Sequence, residues 1–260
     1  MRYSKLACLS LCITLFTLTS CNKANVTEET YEESSIEETA ISESETQEIT
    51  TIEETTTKQE INSIYQQIID ESYNFISSNN TLTAERGQIG FAEIVGAVKV
   101  DKALEDIGYT FIDINKDGIE ELILAERYID TETNNILAAY TIKDNNPVLL
   151  FEGAVRSRFY LLDDNTIYNT GSNGADYSIW GLYKINDTND DLETIDFYFT
   201  GYNEELRGWY WYYNNTSSYY KSESTCVAKT HGEIENKMDG YYSRIQKLDL
   251  TFFDTYKSGN

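Results

Sequence analysis

Apolar residues at Ile61, Ile64, Tyr65, Ile68, Ile69, Tyr73 and Ile76 repeat at i, i+3, i+4, i+7 and i+8. That period gathers them on one stripe of a helix, which Ser77-Ser78-Asn79-Asn80 ends. A weaker helical stripe follows through Phe91, Ile94, Val95, Val98, Ala103, Leu104 and Ile107. From Tyr109 the period drops to two, in short runs rich in aromatic and β-branched residues. Strands are predicted near 109–113, 120–126, 136–143, 147–153, 157–162, 166–170, 177–185, 193–200 and 207–213. Asx and glycine turns such as NKDG, LDDN and NDTNDD separate them. Thr230-His231-Gly232-Glu233 has capping-box spacing, and Ile234, Met238, Tyr242 and Ile245 continue a helical face. A last strand is predicted at 247–253. Sequential short strands favour neighbouring antiparallel pairs. The expected fold class is therefore α+β: N-terminal helices, then a mainly antiparallel β meander with one late helix.

The first sixty residues follow a different pattern. Arg2 and Lys5 precede an apolar run, Leu6 to Phe16, that is too short to span a bilayer and reads as the core of a secretory signal. It ends in Leu18-Thr19-Ser20-Cys21: an aliphatic residue, two small ones, then cysteine. This segment resembles the lipobox of bacterial lipoproteins. The resemblance implies removal of residues 1–20, lipidation of Cys21 and anchoring on the extracellular face of the bacterial cytoplasmic membrane. Between Glu28 and Glu60, twelve Glu stand against one Lys, a net charge of about −11. The isolated Ile residues there have no period, so residues 21–60 are expected to be a disordered acidic tether. A flexible coil of that length reaches roughly 35 Å, and self-repulsion extends it.

Residues 61–260 are expected to form one globular domain. They carry 32 acidic and 16 basic side chains, hence −16. That field disfavours nucleic acid and anionic lipid as partners. Cys8 and Cys12 lie in the signal and Cys21 is the lipid site, so Cys226 alone is left in the domain. No disulfide within the domain is possible, and Cys226 is expected to be a small buried hydrophobe.

One stretch carries chemistry. Asp113-Ile114-Asn115-Lys116-Asp117-Gly118-Ile119-Glu120-Glu121 reads D-x-N-x-D-G-x-x-E. Oxygen side chains at positions 1, 3 and 5 converge when such a loop curls, and glycine at position 6 permits the turn. Position 7 offers a carbonyl and position 9 a further carboxylate. The expected ligands of a Ca²⁺ ion are Asp113, Asn115, Asp117, the Ile119 carbonyl and Glu121. A plain hydrogen-bonded Asx turn needs no ion, but three carboxylates in one loop repel each other without a cation. Position 12 is Leu124 and the flanks are strand-like, so this is not a complete EF-hand. The segment resembles the calcium loops of FG-GAP and VCBS-type repeats. Together with the lipobox, tether, helix and β meander, it is similar to uncharacterised surface lipoproteins of Gram-positive anaerobes. That resemblance implies a fold and a structural Ca²⁺ more than an activity. Extracellular calcium modules bind at about 10⁻⁴–10⁻³ M. At a Kd of about 0.1 mM and about 1 mM Ca²⁺, such a site adds roughly 1.4 kcal/mol.

Trp209, Trp211 and Tyr213 alternate with Tyr210 and Tyr212, as a strand presenting an aromatic row for a ligand would. The bland alternative is that aromatics are good strand formers and one face is core. Gly171 to Asp176 lacks the lysine and following helix of a phosphate loop and is expected to be a hairpin connection. Arg156 and Arg158 alternate and are expected to pair with carboxylates of this acidic domain. His231, the one histidine, cannot build a zinc site with Cys226 alone, and no nucleophile-elbow motif accompanies it. No catalytic residue is assigned. The expected function is a monomeric, calcium-stabilised, non-enzymatic surface module that binds a glycan or a surface protein. The alternatives are an extracellular hydrolase of polysaccharide or cell wall and a scaffold or inhibitor-like lipoprotein.

Overall fold

The structure is a computed structural model, and it describes residues 63–256 apart from 129–132, 173, 175, 187–190, 230 and 231. The signal segment, Cys21, the tether and His231 lie outside the described residues. Residues 63–78 are helical (α1), as the apolar stripe predicts, and Tyr65, Ile69 and Ile76 are buried. The second stripe divides into α2 (Ile89–Ala97) and α3 (Val100–Asp106). Extended backbone at Val98 and Lys99 breaks it, and Asp101 in the first turn of α3 suits a helix start.

Eleven strands follow among the described residues: β1 (Ile107–Ile112), β2 (Glu121–Tyr128), β3 (Thr133–Lys143), β4 (Asn146–Glu152), β5 (Ser157–Leu161), β6 (Ile167–Ser172), β7 (Ser178–Ile185), β8 (Leu192–Asn203), β9 (Gly208–Asn214), β10 (Thr225–Ala228) and β11 (Thr251–Phe252). A late helix, α4 (Gly232–Tyr242), precedes the last of them. All pairings are antiparallel, in the spatial order β10-β9-β8-β7-β6-β5-β3-β2-β1-β11. β4 forms a hairpin with β3, off that path, with Pro147 opposite Ile142. The α+β meander with N-terminal helices and a late helix is the expected fold.

Alternation sorts side chains to the two faces of the sheet. Tyr160 and Tyr168 pack with Trp180, Trp211 and Met238 of α4, whereas Leu161 and Ile167 pack with Ile123, Ile136 and Leu248. Helices α1, α2 and α3 cover a separate cluster built on Leu122, Leu124 and Leu137.

Three expectations need correction. The strand predicted at 247–253 shrinks to Thr251–Phe252, paired with Gly108 and Tyr109. Leu248 and Leu250 do alternate into the core, but the Leu248 N–H donates to the Asn134 side chain at 2.8 Å rather than to a strand. Ile245 leaves the helical face and instead bridges Leu162. Cys226 is exposed, because β10 is an edge strand whose Ala228, not Cys226, meets Trp211 and Met238. β10 itself is too short and too polar in its surroundings for the period-two pattern to reveal.

Candidate functional site

The D-x-N-x-D-G-x-x-E loop joins β1 to β2, and its hydrogen bonds are those of nested Asx turns. The Asp113 carboxylate accepts from the Asp117 and Gly118 amides, both at 3.1 Å. Asn115 Oδ1 also accepts from the Asp117 amide, at 3.3 Å, and Asn115 Nδ2 donates to Asp117 Oδ2 at 3.0 Å. Asp117 Oδ1 accepts from the Ile119 amide at 2.8 Å. Lys116 and Gly118 have φ of 62° and 90°. Nothing crowds a Cβ at Gly118, so the left-handed backbone and not space calls for glycine there.

Glu121 differs from the other carboxylates. It is 0 % exposed, and its Oε2 accepts from the Ile114 amide at 2.9 Å while Oε1 accepts from the Thr141 hydroxyl at 3.1 Å. It therefore clamps the start of the loop to β3, a role the spacing does not reveal. Burial pushes its pKa up to about 7, and the charges of Asp117 and Asp113 add to the rise. Asn165, in the turn between β5 and β6, donates to the Ile114 carbonyl at 3.2 Å and holds the loop from the other side. Among the described residues no three Asp, Glu, His or Cys side chains are grouped tightly enough to hold a metal by themselves. Asp113 and Asp117 are turned onto loop amides and Glu121 onto Ile114 and Thr141. The donor chemistry is nonetheless all hard oxygen, the type Ca²⁺ takes.

The aromatic strand divides. Trp211 is 3 % exposed and stacks on Trp180, with centroids 4.1 Å apart and planes 13° from parallel. Tyr213 is half-buried against Tyr198 at 5.0 Å. Trp209 is half-buried and edge-on to Tyr177 and Tyr202, at 4.9 and 6.0 Å. The three do not make a coplanar exposed row. α4 covers one end of that face, with Lys237 donating to Asp196 at 2.7 Å and to Tyr198 at 2.9 Å.

The principal hollow lies elsewhere. α3, β2, β5 and the end of α4 enclose a cleft of about 600 Å³ lined by Asp106, Glu126, Tyr128, Arg158, Tyr160 and Tyr242 among others. Burial raises the pKa of Glu126, with the Asp106 charge adding and a Tyr128 hydrogen bond opposing. Burial pushes Tyr128 up to about 12, and the nearby Glu126 charge adds to it. Asp106 is held by Lys102 at 2.6 Å and Arg127 at 3.6 Å. The Arg158 guanidinium lies 5.5 Å from the centre of the Tyr128 ring.

A second hollow of about 410 Å³ shares Arg158 and Tyr242 with the first and adds Arg156, Ser172, Ser178 and Trp180. The two thus adjoin at Arg158 and Tyr242, beside α4. Arg156 and Arg158 do sit in one region, as their alternation predicts. Contrary to expectation, neither forms an ion pair among the described residues; Arg158 Nε donates to the Val155 carbonyl at 3.2 Å instead. β5 and the turn before it place them beside Thr170, Ser172 and Ser178, where no carboxylate among the described residues lines the hollow. Glu126, Tyr128, Tyr160 and Tyr242 carry no spacing signal, because β2, β5 and α4 come together only in the fold.

No protein-family model, curated protein or solved structure matches the chain. The side chains of the loop and the groove are accordingly the basis for assigning a function.

Proposed function

We propose that the protein is a lipid-anchored surface binding module, held outside the bacterial cytoplasmic membrane by Cys21 and the acidic tether. Its domain is stapled by Ca²⁺ at Asp113, Asn115, Asp117, the Ile119 carbonyl and Glu121. The ligand, a glycan or a surface protein, seats in the groove beside α4. The observation that carries this reading is the pair of adjoining hollows beside α4, built on a sheet and one helix and lined by arginine, tyrosine and hydroxyl side chains. Among the described residues no helix is long and apolar enough to cross a membrane.

Two tests address the halves of the proposal. Cys21→Ala is expected to move the protein from the membrane fraction to the soluble fraction; unchanged membrane association would remove the anchor. Screening the protein against glycans and surface proteins is expected to yield a ligand whose binding is lost on altering the groove.

A second reading, hydrolysis of a polysaccharide, is favoured by one feature. Asp106 and Glu126 share the larger cleft, and their surroundings differ: Asp106 is paired with cations, whereas burial raises the Glu126 pKa. Release of new reducing ends from a polysaccharide, abolished by Glu126→Gln, would establish it. No release from a broad polysaccharide panel leaves the binding module.

A further inference from the structure

The groove also indicates what kind of ligand it takes. In this domain of 32 acidic and 16 basic side chains, Lys102, Arg127, Lys184, Lys237 and Arg244 each pair with a carboxylate. Arg156 and Arg158 do not pair among the described residues, although carboxylates outnumber cations two to one. Among the described residues they are the only charged ones lining the 410 Å³ hollow. Arg156 also lines a hollow of about 450 Å³ that shares Ser172 and Ser178 but is walled by Ile179 and Phe199, on the other face of the sheet from Trp180. Arg156 and Arg158 thus both line the 410 Å³ hollow without an ion pair among the described residues, although the Arg158 charge also reaches Glu126.

The rest of that wall is suited to sugar. Thr170 and Ser178 supply hydroxyls that both donate and accept hydrogen bonds, and Ser172, whose hydroxyl donates to the Gly174 carbonyl at 2.9 Å, can accept one. Tyr242, an exposed ring, lines the same hollow as the two arginines. Aromatic faces beside fixed polar groups suit a ring with one apolar face and a rim of hydroxyls. A guanidinium adds planar, two-pronged recognition of a carboxylate or sulfate.

Net charge limits how acidic that ligand is. The domain's −16 repels a densely charged polymer, and screening only sets in over about 8 Å at physiological ionic strength. A ligand with a single anionic group close to Arg156 and Arg158 gains the local attraction without summing the repulsion. Nucleic acid and heavily charged polyanions fail this condition.

We infer that the groove binds an anionic saccharide, one carrying an isolated carboxylate or sulfate, with Arg156 and Arg158 taking the charged group and the Tyr242 side of the groove taking the ring. This deepens the binding-module reading and rests on it. Its test titrates the full-length protein with 3′-sialyllactose, 3′-sulfolactose and lactose. These share one neutral core and differ in the charged group.

At least one of the two acidic sugars is expected to bind about tenfold or more tighter than lactose, the factor a charge-assisted hydrogen bond typically supplies. Which of the two binds tighter tells carboxylate from sulfate. Arg156→Gln, which removes no side-chain hydrogen bond or ion pair within the described residues, is expected to weaken that sugar about tenfold with an unchanged melting temperature. Arg158→Gln should do the same with a small loss of stability from the Tyr128 contact. Lactose binding as tightly as both acidic sugars would overturn the anionic class while keeping a sugar site. No binding of any of the three would overturn the inference and leave the binding module to the wider glycan and protein screen. Full affinity in both arginine variants would overturn the location.

Discussion

Trp211→Ala destabilises the domain by about 3–5 kcal/mol, the usual cost of removing a fully buried aromatic side chain from a core. Trp211 is 3 % exposed and lies flat on Trp180 at 4.1 Å, in a cluster with Tyr168, Ala228 and Met238. Truncation removes that stack and opens a void between β9 and α4 that neither rigid element can close. At about 2–4 °C per kcal/mol for a domain of this size, the melting temperature should fall by roughly 6–20 °C. Trp209→Ala is the control: the ring is half-buried and held edge-on by Tyr177 and Tyr202, so the loss should be well below that of Trp211. A thermal melt by circular dichroism decides it. A Trp211→Ala melt matching wild type would show that the ring is not a core residue and would return it to the ligand face.

The second large effect concerns Glu121 and combines pH with calcium. Its carboxyl rises from the ordinary 4.5 to about 7 in the folded protein, first because it is buried and then because Asp117 and Asp113 stand near. A carboxyl whose pKa is higher when folded holds its proton more tightly in the native state. Its favourable contribution is therefore complete at and below pH 4.5 and is lost as pH rises through about 7. At about 1.4 kcal/mol per pH unit, a rise from 4.5 to about 7 corresponds to roughly 3 kcal/mol lost by pH 8 in calcium-free buffer. A cation beside the loop favours the ionised carboxylate, so Ca²⁺ should restore much of that loss.

Glu121→Gln isolates the effect. The amide oxygen can still accept from the Ile114 N–H, and the amide NH₂ can donate to the Thr141 oxygen, so both anchoring contacts survive. The variant should show a flatter stability profile between pH 5 and pH 8 and a weakened response to Ca²⁺. Urea unfolding of both proteins across that range, with chelator and with Ca²⁺, measures it. Superimposable profiles for the two proteins would remove Glu121 from the account.

The strands were legible wherever residues alternate between a core face and another surface. The nine predicted between 109 and 213 all occur, with ends shifted by at most a few residues. Alternation reports burial, however, and not hydrogen bonding. Leu248 and Leu250 alternate like a strand, yet the Leu248 amide is taken by the Asn134 side chain, 114 positions away in the chain. The same limit hid the fate of the aromatic row. Trp209, Trp211 and Tyr213 share a face by period, but α4 covers only part of that face, and where it ends is set by tertiary contacts such as Lys237 with Asp196.

The loop was legible because its donors lie within nine consecutive residues and the turn needs glycine at one position. The inward turn of Glu121 was not, because it depends on Thr141 of β3. The groove was least legible of all. Its walls come from α3, β2, β5, β6, β7 and α4, and only the alternation of Arg156 and Arg158 hinted at it. The sequence-level expectation of local ion pairs for those arginines failed because burial and strand direction, rather than overall composition, decide which charges meet.

The central claim, a calcium-stapled binding domain outside the cell, rests most directly on whether the Asp113–Glu121 loop takes the ion. The decisive measurement is a Ca²⁺ titration of the protein followed by amide ¹H–¹⁵N correlation spectra, with a thermal melt at each end point. The account predicts saturable shifts concentrated at residues 113–121 with a midpoint of about 0.1–1 mM. It also predicts a melting temperature about 3–6 °C higher with Ca²⁺ than with chelator, a difference that Asp117→Ala abolishes. Spectra and melts that are identical with and without Ca²⁺ would contradict it.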